Sequence, residues 1–445
     1  MSSNKGETNF SSDLQLSECF SKLCSDEIMS VFSYLDKNDL LNLRLVSQPL
    51  KTISEECLKK RADRLPSLRS FKKLDKVEFL TQFYSHLTSV KIDAWKGTSE
   101  QFLKFLSILK RNLLIKHLTI IDGFTDEDYI NVGRMLPGLK SLEINVQFSN
   151  DITSDGFFKM LKQLSKLKRL TATKREYLEF RNEYRYSIPE SLTIFNLYNI
   201  DVDELNFLLD LKADVLEKLC YVRLRYTRRN LLKFEDIDFQ ASGEKIFKCK
   251  NLKQLTFLAP SASITNLSSI DCKYLTSLNL AVYEITFEPS CPKLEYVKKL
   301  VLELGKSCDT RMARLLSLFP ALESLFIQDI TFKSVVQTCR EISKFHHLKH
   351  LALNQIFAMH QNVNHLYDVI KSPPQCTKFS IDFDRRTDDQ LKELLDLFEE
   401  IARKHSYHQV TVKIYRNESM PTPESKNLKF FTLPCDIMRF QRLTF

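Results

Sequence analysis

From residue 86 onward one hydrophobic pattern recurs: an apolar residue, two variable positions, an apolar residue, one variable position and a final apolar residue. The copies are LTSVKI at Leu87, IKHLTI at Ile115, LKSLEI at Leu139, LKRLTA at Leu167, LTIFNL at Leu192 and LCYVRL at Leu219. They continue with LKQLTF at Leu252, LTSLNL at Leu275, VKKLVL at Val297, LESLFI at Leu322, LKHLAL at Leu348 and CTKFSI at Cys376. That makes twelve copies, their starts 22 to 33 residues apart, with VTVKIY from Val410 as a candidate thirteenth. Alternation of apolar and variable positions over so short a run predicts a strand with one buried face. Helical periodicity fills the intervals. TDEDYINVGRML begins at the cap residue Thr125, SDGFFKMLKQL begins at Ser154, and VDELNFLLDLKADVL begins at Val202. TFKSVVQTCREISKF and TDDQLKELLDLFEEIARKH follow later. Strand and helix alternating through right-handed crossovers build a parallel sheet with helices along its outer side.

This period and core pattern resemble the leucine-rich repeat, whose unit is ~20–29 residues. The Asn or Cys that commonly follows the motif is missing here. Gly123, Gln147, Arg175, Ile200 and Pro260 stand in its place. The resemblance therefore implies an α/β fold in which an irregular leucine-rich-repeat solenoid, a horseshoe with a parallel inner sheet and outer helices, follows the N-terminal helices. Excursions are expected at residues 175–189 and 226–249. The competing fold is a generic α/β domain in which the motif recurs because Leu is common.

Before the array, residues 23–58 read LCSDEIMSVFSYLDKNDLLNLRLVSQPLKTISEECL. Three short helices are predicted. Ser25 caps the first, with Asp26 and Glu27 in its first turn, where carboxylates suit the helix dipole. Ile28, Val31, Phe32 and Leu35 then form one stripe. Asn38 caps a second helix over residues 39–46, and Pro49 suits the first position of a third. So many large apolar residues exceed what three short helices can bury, and an unfilled apolar face marks an interaction site.

The order of a Leu start, an EI pair, VF before YL, a D-x-x-DL step, an RLVS stretch and a closing I-S resembles the F-box family. Leu23-Cys24 stands where that family usually has Leu-Pro, and Leu50 stands where it often has Trp. The resemblance covers about 40 residues. It implies binding to the Skp linker subunit of cullin-type ubiquitin ligases. It also implies that Leu23, Ile28, Phe32, Leu35, Leu40, Leu43, Val46 and Leu50 divide between the module's core and that interface.

Because strand side chains alternate, the residues flanking each central apolar position face the concave side. From these the expected target-binding residues are Lys91, His117, Arg169, Tyr221, Arg223, Lys299, Phe326, His350 and Lys378. Five Lys or Arg flanking positions face one acid, Glu143, so the expected preference is an acidic or phosphorylated protein segment. Arg169 and Arg223 are the candidates for bidentate contacts.

Composition narrows the function classes. The chain has 445 residues, 43% apolar and 27% charged, with net charge +9. No run of five basic residues occurs, which argues against nucleic acid as a partner. Eleven cysteines with no C-x-x-C pair fit reduced thiols rather than a disulfide framework or a zinc site. No signal-peptide pattern or apolar stretch of ~18 residues is present, so a cytoplasmic or nuclear protein without membrane attachment is expected. No P-loop, G-x-S-x-G or H-E-x-x-H appears, and His346, His347 and His350 lack a carboxylate or Cys at ligand spacing. The expected catalytic residues, metal and cofactors are therefore none.

The resulting division is a disordered segment at 1–16, the F-box-like module at 17–64 and a linker or first cap at 65–85. The repeats span 86–415, and a tail or cap spans 416–445. The leading expectation is a substrate-recognition subunit of an SCF-type cullin ligase, contacting the cullin scaffold through the Skp linker. The alternative is a leucine-rich scaffold or inhibitor whose N-terminal helices only cap the solenoid. A third, a GTPase-activating protein, would need a rim arginine such as Arg228 or Arg229.

Overall fold

The computed structural model describes residues 23–61, 77–78, 81–82, 87–93, 95, 97–145, 153–173, 181–223, 242–264, 272–285, 291–304, 309–328, 341–342, 344–356, 378–383, 396, 399–400, 403, 409–415 and 428–433. The expected disordered segment, most of the linker, the helices expected near 331–345 and 387–405, and Arg228 and Arg229 lie wholly or largely outside these residues.

Three helices open the chain: α1 (Ser25–Phe32), α2 (Lys37–Leu43) and α3 (Gln48–Arg61). Then come β1 (Ser89–Asp93), α4 (Ser99–Asn112), β2 (His117–Ile121), α5 (Asp126–Met135), β3 (Ser141–Asn145), α6 (Ser154–Gln163) and β4 (Arg169–Thr173). A 3-10 helix (Asn182–Ser187) precedes β5 (Ile194–Tyr198), α7 (Val202–Lys212), β6 (Lys218–Val222) and α8 (Ser242–Phe247). The remainder is β7 (Gln254–Ile264), β8 (Ser277–Ile285), β9 (Lys299–Leu304), α9 (Asp309–Leu316), β10 (Ser324–Gln328), β11 (His350–Ile356), β12 (Lys378–Phe383), β13 (Gln409–Tyr415) and β14 (Leu428–Leu433).

Among the described residues all fourteen strands form one sheet in sequence order. Every neighbouring pair is parallel; β1 with β2 and β13 with β14 mark the two ends. The fold is an α/β solenoid. Equivalent residues pair strand after strand: Leu118 with Leu142, Leu142 with Leu170, Leu170 with Phe195, and Phe195 with Leu219. This column is buried from Val90 to Leu351, and so is the column two residues further along each strand, from Ile92 to Leu353. The buried faces of α4, α5, α6 and α7 join the same continuous core. The helices thus cover one face of the sheet, and the flanking strand positions emerge on the other.

The mouth of each strand carries a second repeat-to-repeat device. The backbone N–H groups of Lys140 and Ser141 both donate to the Lys116 carbonyl, at 2.8 and 3.0 Å. Those of Lys168 and Arg169 donate in the same way to Lys140, and the pattern persists to Lys349 and His350 on Glu323. These main-chain bonds hold for any side chain, so the array closes without the missing Asn.

Helix starts follow capping chemistry. Thr98, Thr125 and Thr153 accept from the N–H groups of Gln101, Asp128 and Gly156. Thr153 therefore caps α6, which starts at Ser154 as expected. Asp201 precedes α7 and its N–H donates to Glu204 at 2.9 Å. At α1 the cap residue is Cys24 and not the expected Ser25, which is the first helical residue; the Cys24 N–H donates to Glu27 at 2.8 Å and helps hold that carboxyl below its usual range. Before α2, Asp36 and Asp39 exchange backbone-to-carboxylate bonds, which places the start at Lys37, ahead of the expected Asn38 cap.

Two expectations about the strands also need correction. The sixth strand motif starts three residues earlier than LCYVRL, at Leu216, because β6 is Lys218–Val222 and Leu219 pairs with Leu255. Leu216, Leu219 and Val222 recur every three residues, so both registers satisfy the apolar pattern. The chain adopts the one that buries the Tyr221 ring and lets its hydroxyl donate to the Ile200 carbonyl at 2.8 Å. The segment expected as a tail also contributes a strand, β14, paired to β13.

Candidate functional site

The N-terminal helices have a small core of their own, separate from that of the solenoid. Ile28, Phe32, Leu40, Leu50, Cys57 and Leu58 are buried in it, with Met29, Leu35, Leu43 and Ile53 packed around them half-exposed. Four of the eight expected interface residues, Ile28, Phe32, Leu40 and Leu50, are therefore core residues. Phe32 has no exposed surface, so an Asp there would break the module rather than probe its outer face.

The bare apolar surface lies at other positions. Leu45 is 86% exposed, Val46 63% and Tyr34 88%, with Leu23 and Val31 also exposed. Val31, Tyr34 and Leu45 do not figure among the expected interface residues. The cause is helix length: α2 ends at Leu43, so Leu45 and Val46 sit on the turn that follows instead of on a helical stripe. That turn is braced. Arg44 reaches Glu55 of α3 through Nε at 3.0 Å and Nη2 at 2.7 Å. Two large aliphatic side chains thus lie in water on a fixed turn.

The second surface is the helix-free face of the sheet. His117, Arg169, Lys299 and His350 are exposed on it, and Lys91 and Phe326 are half-buried. The side chain of Lys378 lies outside the described residues. Tyr221 and Arg223 do not belong to this face. The Tyr221 ring is in the core, and burial pushes its phenol well above the usual range. Arg223 lies past the end of β6, its guanidinium 2.8 Å from Asp201 and its side chain only 14% exposed. The three-residue shift makes Lys218 and Cys220 the sixth strand's contribution instead. Burial raises the Cys220 thiol and the Tyr198 phenol, so both are neutral at physiological pH.

Over β2 to β5 this face sinks into a hollow of about 270 Å³. His117, Glu143 and Arg169 all line it. Thr119 Oγ1 donates to Glu143 Oε2 at 3.2 Å, and Asn196 Nδ2 donates to Thr171 Oγ1 at 3.0 Å. Partial burial, then the charges of Arg169, Lys116 and Lys140, pull the His117 pKa down, so the imidazole is largely neutral near pH 7.

The arrangement supplies binding groups. Among the described residues no group of three or more His, Cys, Asp or Glu could hold a metal ion, and no helix is long and apolar enough to cross a membrane. His346, His347 and His350 are all exposed.

Comparison with known families matches residues 20–61 to the F-box domain. No curated protein matches the chain. Among solved structures, the chain is similar to one from the complex of Rad7 and Elc1 in yeast, at 15% identity. That alignment covers 84% of this chain and 94% of the other, with a TM-score of 0.39. It is also similar to the leucine-rich repeat-containing protein LegL7 from Legionella pneumophila, at 13% identity, covering 82% and 94%, with a TM-score of 0.31.

Proposed function

For a chain whose residues 20–61 are an F-box domain and whose later strands form a parallel repeat sheet, we propose the role of substrate-recognition subunit in an SCF-type cullin ubiquitin ligase. The F-box helices dock on the Skp linker, which connects to the cullin scaffold, and the helix-free sheet face holds a protein target. The chain itself makes and breaks no bonds. Its contribution is effective concentration: a tethered target meets the transferring enzyme far more often than a free one.

One observation carries this reading. The F-box helices close a core without Leu45, Val46 and Tyr34, and leave those side chains in water. A mere solenoid cap would turn its large apolar residues towards the repeats it seals. The test is a pull-down with purified Skp linker. Leu45→Asp with Val46→Asp is expected to lower capture by roughly tenfold or more, as loss of a central anchor does. The thermal midpoint of the variant should match that of the parent. Undiminished capture would overturn the proposal.

A further inference from the structure

Glu143 complicates a simple preference for acidic targets, because it lines the same hollow as His117 and Arg169. The strand register fixes the spacing. His117 pairs with Ser141, and Ser141 pairs with Arg169. The Arg169 guanidinium and the largely neutral His117 imidazole therefore flank Ser141 from adjacent strands, each ~4.8 Å away across the sheet. Glu143 lies two residues further along the same strand as Ser141, a rise of ~6.6 Å. Residues i and i+2 of an extended peptide lie on one side of its backbone at the same ~6.6 Å spacing. A peptide laid along β3 can set one side chain between His117 and Arg169 while a second sits over Glu143.

The electrostatics of the two positions are opposite. Lys116 and Lys140, immediately before β2 and β3, add positive charge behind the first position, where they act on His117. At the second, Glu143 is exposed and accepts from the Thr119 hydroxyl among the described residues. A second acid there would meet a like charge, and a base or an amide would find an acceptor.

Resting on the target-recognition reading above, we propose that this hollow selects a mixed-charge element: an anionic residue and a cationic residue separated by one position in an extended segment. The anion is a carboxylate or a phosphomonoester, which share the charge and the acceptor oxygens that Arg169 needs.

The test uses the full chain with its Skp linker and fluorescein-labelled synthetic peptides in a Gly/Ser background. They carry Glu-Ser-Lys, Lys-Ser-Glu, phosphoserine-Ser-Lys, Glu-Ser-Glu or Lys-Ser-Lys, read by fluorescence anisotropy. At least one mixed-charge order is expected to bind about fivefold more tightly than Glu-Ser-Glu, the scale of one partly exposed ion pair. The Glu and phosphoserine arms separate the two sources of the anion. Glu143→Gln should erase the difference between the mixed and the doubly acidic peptides, and Arg169→Gln should weaken all peptides bearing an anion. Equal or tighter binding of Glu-Ser-Glu, a preference unchanged by Glu143→Gln, or no binding above the plain Gly/Ser peptide would each overturn the proposal. Linker capture through residues 20–61 is read in the same samples. Its loss would count against the adaptor reading, and its persistence alongside a failed peptide preference would count against the hollow alone.

Discussion

Single side chains decide which surfaces of this protein are structural and which are available. Phe32 and Leu45 are both large and apolar and lie thirteen residues apart in sequence. Phe32 is sealed with Ile28, Leu40 and Leu50, whereas Leu45 meets water. Phe32→Ala should therefore cost about 3–5 kcal/mol by leaving a cavity, measured by chemical denaturation of the F-box helices. Substitution of Leu45 should leave that stability nearly unchanged. The sequence made the module legible as three apolar-rich helices but not this partition. A stripe at helical spacing shows which residues share a face, not whether a partner or the chain itself covers it. Tyr221 teaches the same lesson in the sheet. Its phenol hydrogen bond to Ile200 is a tertiary fact, and without it two registers three residues apart are equally apolar.

At the scale of elements, neighbouring repeats are fastened at their helix starts. Thr153 begins α6, yet its N–H and hydroxyl both donate to Asp126 in the first turn of α5, at 2.8 and 2.5 Å. Gly156 belongs to the same joint, since a Cβ there would run into the Asp126 carboxylate. Asp126→Ala frees two donors and removes a carboxylate from a helix start, and is expected to destabilise the solenoid by about 1–2 kcal/mol in equilibrium unfolding. A change below a few tenths would mean that water replaces the joint. The strand pattern was readable because each copy must bury the same two columns. The joint was not, because Asp126 and Thr153 lie 27 positions apart and look like ordinary first-turn residues. The extra strand β14 escaped for another reason: Ser425 stands three positions before Leu428, where the earlier copies carry their first apolar residue.

Across the whole molecule, charge is sorted along the solenoid. The position just before each strand reads Lys116, Lys140 and Lys168 early on, with no acid between them. Later, acids enter the same position at Glu217 and Glu323. Lys253 pairs with Glu217, and Glu323 bridges Lys298 and Lys349 at 2.8 Å each. Those two lysines hold the Glu323 carboxyl down to about 2. A carboxylate whose folded pKa is depressed stabilises fully above its unfolded value, and that contribution is lost as pH falls from the ordinary carboxylate range towards about 2. The difference in thermal midpoint between the parent and Glu323→Gln should accordingly be largest near pH 6, shrink below pH ~4.5 and weaken with salt. A difference that grows on acidification would contradict the bridge. The early lysines Lys116, Lys140 and Lys168 stand immediately before strands that carry the hollow of Arg169 and His117.

Hydrogen–deuterium exchange of the full chain with and without purified Skp linker tests the central claim most directly. The account predicts new protection confined to residues 23–46, strongest at the turn carrying Leu45 and Val46, with the exchange of β2 to β5 unchanged. Protection appearing on the sheet while residues 23–46 exchange as before would contradict it.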